Sequence, residues 1–170
     1  MDKNTALTGA IGSLLITLGI LPYVGVLLNA VGVVLVFVAM KKISAEHPGK
    51  GILKDFAIGF VLVLLSSVVL GFGVAGLTAT AKQGAIKGLL KVAVLSLTVI
   101  LFYIIMVAGF FLYRRSFNKV ADVTGNNLFS WAGNLFFWGS IATLVLIGIV
   151  VVWLGWILLA VAFFNTPVEE

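Results

Sequence analysis

The chain has 170 residues, of which 62% are hydrophobic and only 10% charged, and its mean hydropathy is +1.24. Soluble domains carry about 25% charged residues, and a chain this small has too much surface for its volume to bury so much apolar side chain in water, so a water-soluble globule is excluded. The net charge of +5 lies in short segments between apolar runs, which excludes a nucleic-acid-binding surface and fits membrane-flanking anchors.

Residues 1–5 are polar, and Asn4 or Thr5 is expected to cap a helix starting at Ala6. Lys3 ahead of an apolar run resembles the start of a signal peptide. No small-residue cleavage site followed by polar sequence appears, so a retained first helix is expected. The run Ala6–Leu21 contains only Ser13 and Thr17 as polar residues and stops at Pro22, which disfavours helix at Leu21. A second run, Val26–Met40, ends at Lys41-Lys42. Each run makes a helix of roughly 24 Å, short against a hydrocarbon core of about 30 Å. A tight helical hairpin over residues 6–40 is the expectation, with its turn at Pro22–Gly25.

Residues 41–54 read as the first loop, with Pro48-Gly49 and Gly51 as turn-formers. A third helix is expected over 52–77, with Asp55 in its first turn at the positive end of the helix dipole. The link 78–91 carries Lys82, Lys87 and Lys91 and suits an interfacial helical turn whose lysines reach the headgroups. A fourth helix is expected over 89–113, closed by Arg114-Arg115. Residues 116–127 follow as a polar connector that breaks at Gly125-Asn126-Asn127.

The last apolar run, Leu128–Phe164, contains no charged residue. As one straight helix it would be about 55 Å long, nearly twice the hydrocarbon core. It must therefore fold back, and a break near Gly139–Thr143 would make a hairpin of two helices, 128–140 and 144–164. Trp131, Trp138, Trp153 and Trp156 all fall in this hairpin. Aromatic belts place some tryptophans at interfaces, while Trp153 and Trp156 suit deep helix contacts. The fold expected is all-α: one polytopic transmembrane domain over 1–170, with six helices, or five as the alternative, and short hairpins at each end.

With six helices both termini share one side. That side receives Lys3, Lys41, Lys42, Lys50, Lys54, Arg114, Arg115 and Lys119, against Lys82, Lys87 and Lys91 on the other. From this asymmetry both termini of a multi-pass protein are expected in the cytoplasm.

Glycine and alanine recur at sevenfold spacing: Gly12 and Gly19; Gly25, Gly32 and Ala39; Gly148, Gly155 and Ala162. Such a stripe lets a neighbouring backbone approach closely. Packing within one subunit is the preferred reading and a homo-oligomer seam the alternative. The segment GVLLNAVGVVLVFVAM aligns without gaps on GIVVVWLGWILLAVAF, so the two end hairpins fit an ancestral repeat. Asn29 and Asn134 are amides within or near spans and must find partners. Interhelical bonding is preferred over a substrate path. Ser66, Ser67, Ser96 and Thr98 can bond their own helix carbonyls.

The one histidine, His47, has only Glu46 beside it. A metal site wants three or four ligands, so a solvated loop residue is expected and no metal or cofactor is implied. The chain has no cysteine, which removes disulfides and thiolate chemistry. Ionisable residues are missing from the middle of every expected span, which disfavours a proton relay and leaves a passive pore or neutral-solute carrier open. No catalytic motif is visible, and an enzyme is not expected.

The N-terminal pattern GAIGSLLITLG…P…G…LNAVGVVLVFVAMKKIS and the C-terminal pattern TGNNLFSWAGNLFFWGSIATLVLIGIVVVWLGWILLAVAFF resemble the archaeal membrane family called domain of unknown function 996. The likeness covers nearly the whole chain and is strongest in its first and last quarters. It implies an archaeal plasma membrane and several helices, and it transfers no activity or site. The function expected is a non-catalytic structural or accessory subunit whose partners are the bilayer and other membrane subunits or itself. The alternative is a small oligomeric transporter or channel for a neutral solute or ion.

Overall fold

The computed structural model of the chain describes residues 1–79 and 85–167, with side chains at 1–76 and 92–167. Among these are six helices: α1 (Lys3–Leu18), α2 (Gly25–Glu46), α3 (Ile52–Ala79), α4 (Ala85–Thr124), α5 (Leu128–Ala142) and α6 (Ile147–Phe164). A short 3₁₀ turn, Thr143–Val145, joins the last two. No strand occurs among the described residues. Lipid cannot hydrogen-bond a bare backbone, so helices are what such apolar runs form. α2, α3, α4, α6, and α5 taken together with the 3₁₀ turn, are long and apolar enough to cross a membrane, and the chain is a multi-pass membrane protein.

Three hairpins, α1–α2, α3–α4 and α5–α6, pack side by side. α4 lies against α5 and α6 against α1, while α2 meets α3 more sparsely, so the six helices close a ring. Aromatic rings fill its middle. Phe37 meets Phe56 edge-on at 4.9 Å, Phe56 stacks on Tyr113 at 5.0 Å, Phe117 stacks on Phe136 at 5.6 Å, and Phe136 meets Trp156 at 4.9 Å. This run of rings joins α2, α3, α4, α5 and α6.

Several boundaries differ from those expected. α1 starts three residues early, after Asp2, with no side-chain cap. The N–H groups of Thr5 and Ala6 donate to the Asp2 carbonyl, so Thr5 lies inside the helix and is buried rather than capping it. α2 runs through Lys41-Lys42 to Glu46. Lysines change the polarity of a helix without stopping it, and the stop comes at His47, ahead of Pro48. The loop is therefore 47–51, with Gly49 and Gly51 at positive φ. α4 likewise continues past Arg114-Arg115, and most of the expected connector 116–127 is helix. Ser116, Phe117, Val120 and Ala121 are buried along one side of it. The helix ends where Gly125 turns to φ 69° and donates its N–H to the Ala121 carbonyl. The break in the last run falls at 143–146, a few residues later than expected. Lys82, Lys87 and Lys91, the expected headgroup anchors, lie outside the described side chains.

The two short hairpins turn in the same way. Each elbow holds one non-glycine residue in the left-handed region, Tyr23 at φ 67° and Leu146 at φ 64°. Each is lined by exposed apolar side chains, among them Ile20, Leu21, Leu144 and Leu146, and neither elbow bears a charge. Backbone groups close on themselves: Gly19 N–H donates to Ile16, Leu21 to Leu18, Gly25 to Leu21, and Leu146 to Thr143. That is the condition for a turn immersed in hydrocarbon. The Tyr103 hydroxyl donates to the Ile141 carbonyl at 2.9 Å. This bond pins the end of α5 beside Tyr103, near the middle of the apolar stretch of α4, 92–113, so α4 continues beyond the α5–α6 elbow.

Because the native chain has no cysteine, the depth of the elbows can be read with single substitutions. In intact vesicles, Leu146→Cys and Ile20→Cys are expected to resist a water-soluble maleimide from either side, while Lys50→Cys in the loop reacts from one side. Reaction of Leu146→Cys at the rate of Lys50→Cys would place that elbow in water.

Candidate functional site

Glycine sets how closely the hairpins close. A Cβ on Gly12 would lie 2.8 Å from the Gly32 carbonyl oxygen, and one on Gly32 would lie 2.6 Å from that of Gly12. Gly59 of α3 and Gly109 of α4 make the same reciprocal approach, at 2.8 and 2.9 Å. Their significance was not read from the sequence; an isolated glycine inside an apolar helix was the available signal. Gly25 sits against the Gly19 carbonyl and Gly148 against the Gly139 carbonyl. The first glycine of each aligned stripe thus occupies the same place, at an elbow. Gly155 faces the Phe136 ring, and Ala39 and Ala162, which close the two stripes, are fully buried.

Between the hairpins lies a cavity of about 230 Å³. Ile16, Val36, Phe56, Phe60 and Trp156 are among its apolar walls, with Asn29 and Tyr113 as polar residues. Asn29 is held by the elbow: its Nδ2 donates to the Gly19 carbonyl at 3.4 Å, and a Cβ at Gly19 would run into the amide. Asn134 is elsewhere. It does not line the cavity, and its Oδ1 is buried without a hydrogen-bond partner. The two amides singled out from sequence therefore do not share a site. Trp153 does make a deep helix contact, donating Nε1–H to the Thr17 carbonyl of α1 at 3.0 Å, and Trp131 and Trp138 are exposed. Ser13, Thr17, Ser66, Ser67 and Thr98 donate to carbonyls of their own helices.

The face that carries the N-terminus, the 47–51 loop and the end of α4 is polar. Asp55 is buried there, 2.8 Å from Lys119 Nζ and 3.6 Å from Arg115 Nε. Ser116 Oγ–H donates to the Ile52 carbonyl at 2.9 Å. These bonds clasp the start of α3 to the end of α4. Asp55 is legible in the sequence as a helix-start acid; Lys119 and Ser116 are not, because residues 116–127 read as a polar connector. Asn126 performs a similar task for the last hairpin. It accepts from Leu128 N–H at 3.0 Å and donates to the Ala162 carbonyl at 2.8 Å, tying the start of α5 to the end of α6. His47 is half-buried, its Nδ1 3.1 Å from the Ile43 carbonyl. No group of three His, Cys, Asp or Glu side chains suited to a metal occurs among the described residues. What this arrangement can do chemically is enclose a small, mostly apolar guest and offer it one amide.

Gly12→Val and Gly59→Val should each destabilise by about 1–3 kcal/mol or more, since the new atoms meet backbone. Gly71→Ala, with open space around it, should be neutral or gain about 0.5–1 kcal/mol. Thermal unfolding in one fixed detergent compares them. Asp55→Asn should cost about 1–3 kcal/mol by leaving Lys119 without its anion, and adding Lys119→Met should recover part of that loss; the same melts check it.

A family model described as a protein of unknown function (DUF996) matches residues 28–157. An uncharacterized protein of the archaeon Methanocaldococcus jannaschii is 31% identical over 167 residues, covering 97% of this chain and 93% of its own. No solved structure matches. The chain therefore belongs to the DUF996 family of unknown function, which has an archaeal member.

Proposed function

We propose that the protein is a non-catalytic structural or accessory subunit of a plasma-membrane complex, with both termini in the cytoplasm. The observation that carries this reading is the far half of the α3–α4 hairpin. It continues past the elbow of α5–α6 and presents Phe72, Val92 and Leu97 largely exposed, at 76%, 63% and 68%. Above the elbow the chain leaves part of the bilayer's depth open beside an apolar two-helix arm, a space that suits segments of another membrane subunit. Orientation is supported by charge. Met1, His47 and Thr124 line one pocket, so the N-terminus, the 47–51 loop and the end of α4 share a face, and most of the lysines and arginines belong to it.

A second reading is favoured by the central cavity. A chamber of about 230 Å³ lined by Asn29 and aromatic rings suits passage of a small neutral solute, and the α2–α3 seam is the looser wall. Purification from native membranes in mild detergent separates the two. The accessory reading expects other membrane subunits in fixed ratio. The chain alone, with no such subunit, together with neutral-solute flux in proteoliposomes that Asn29→Leu abolishes, would replace it with the transport reading.

A further inference from the structure

The sparse seam between α2 and α3 is a groove of about 520 Å³. Val34, Phe37 and Val38 of α2 and Ala57 and Phe60 of α3 supply most of its wall. Its floor is stiff: Phe37 meets the rings of Phe56 and Phe60 edge-on, at 4.9 and 5.0 Å. Its outer edge faces the surroundings, with Val34 60% exposed. Ala57 is the small residue that leaves room between the helices. Val33 and Phe60 also line the central cavity, so one wall serves both spaces.

Charge distinguishes one end. Lys41 is the only charged residue on the groove, at its end toward the loop 47–51. Lys42 follows it, and Lys54 follows Leu53 of the same wall; all three lysines are exposed. None of them is in an ion pair among the described residues. The nearby acid Asp55 is already engaged by Lys119 and Arg115 on the side of α4. Glu46, further along α2, does not line the groove. An apolar channel about 12 Å long, from Val33 to Lys41, ending at unpaired cations in the headgroup layer, has the chemistry of one amphiphile: a membrane lipid with an anionic head.

We propose that this groove is a binding site for an anionic lipid, one hydrocarbon chain lying between α2 and α3 and the headgroup phosphate meeting Lys41, with Lys42 and Lys54 beside it. A membrane-spanning helix of another chain would fill the apolar part equally well and would leave Lys41 without an anion. The site is independent of the function proposed above and stands whether or not a partner subunit is found.

The test uses the full chain in phosphatidylcholine vesicles containing a trace of chain-spin-labelled phosphatidylglycerol or phosphatidylcholine. The fraction of each probe immobilised by the protein is read by electron paramagnetic resonance. The native chain should immobilise phosphatidylglycerol several-fold in preference to phosphatidylcholine. Lys41→Gln should reduce that preference by about fivefold; Lys3→Gln, outside the groove, should leave it unchanged. Ala57→Phe should lower immobilisation of both probes, and Val34→Trp, at an exposed position, does the same task if Ala57→Phe does not fold. Equal immobilisation of the two lipids by the native chain would overturn the proposal, as would a preference that survives Lys41→Gln. So would efficient disulfide formation between copies carrying Val34→Cys at high lipid-to-protein ratio, which would place a second chain on the groove.

Discussion

Backbone-to-backbone approach at glycine is the contact on which this fold depends. In lipid, apolar side chains gain nothing by leaving their solvent, so helices are held by close packing and by the polar groups that must be paired. Gly12 against Gly32 and Gly59 against Gly109 bring two helices of a hairpin to within van der Waals reach of each other's carbonyls. Gly25 and Gly148 do the same at the elbows, where the second helix starts beside the last turn of the first. Without these notches the hairpins would splay, and the aromatic rings between them would lose their register.

Once the hairpins are closed, a few specific bonds fix how they stand together. Trp153 ties α6 to α1 through the Thr17 carbonyl, Tyr103 ties α4 to the elbow of α5–α6, and Asn126 joins the two ends of the last hairpin. At the polar face Asp55 holds Lys119 and Arg115. Apart from Arg115, whose side chain stays exposed, these polar groups are buried or half-buried and each has found a partner, the requirement for burial at low cost. The seam between α2 and α3 is stitched more loosely, by a long bond from Leu53 N–H to Ser44 Oγ at 3.5 Å, close to the loop 47–51. Its loop is short, Phe37 is the ring that bridges it, and the remaining space is the groove that ends at Lys41. The weakest contact of the ring is therefore also where something from the bilayer can enter.

Uneven helix length gives the molecule its membrane character. α3 and α4 carry apolar stretches long enough to cross the whole hydrocarbon layer, while the elbow of α5–α6 is held part-way along α4. Both short hairpins have elbows that are apolar outside and satisfied along the backbone. One face of the protein is thus a full six-helix ring, and the opposite face is dominated by a two-helix arm. That asymmetry leaves apolar side chains of the arm, among them Phe72, Val92 and Leu97, exposed to the surroundings.

Local physics determined what the sequence alone could say. Lipid as solvent, six helices, a turn at Pro22 and a break in the uncharged run near Ser140 all follow from run length, proline and composition, none of which needs a distant partner. The stripe of Gly25, Gly32 and Ala39 and its match at Gly148, Gly155 and Ala162 were legible for the same reason, as a period along one helix. The continuation of α4 beyond Arg114-Arg115 was hidden, because two arginines look like the end of a span although nothing in them breaks a helix. Only the tertiary structure decided that Gly59 meets Gly109, that Lys119 answers Asp55, that Asn29 faces the cavity and Asn134 does not, and where along α4 the last elbow docks. These depend on contacts between helices far apart in the chain, and an apolar run carries no mark of which neighbour it will meet.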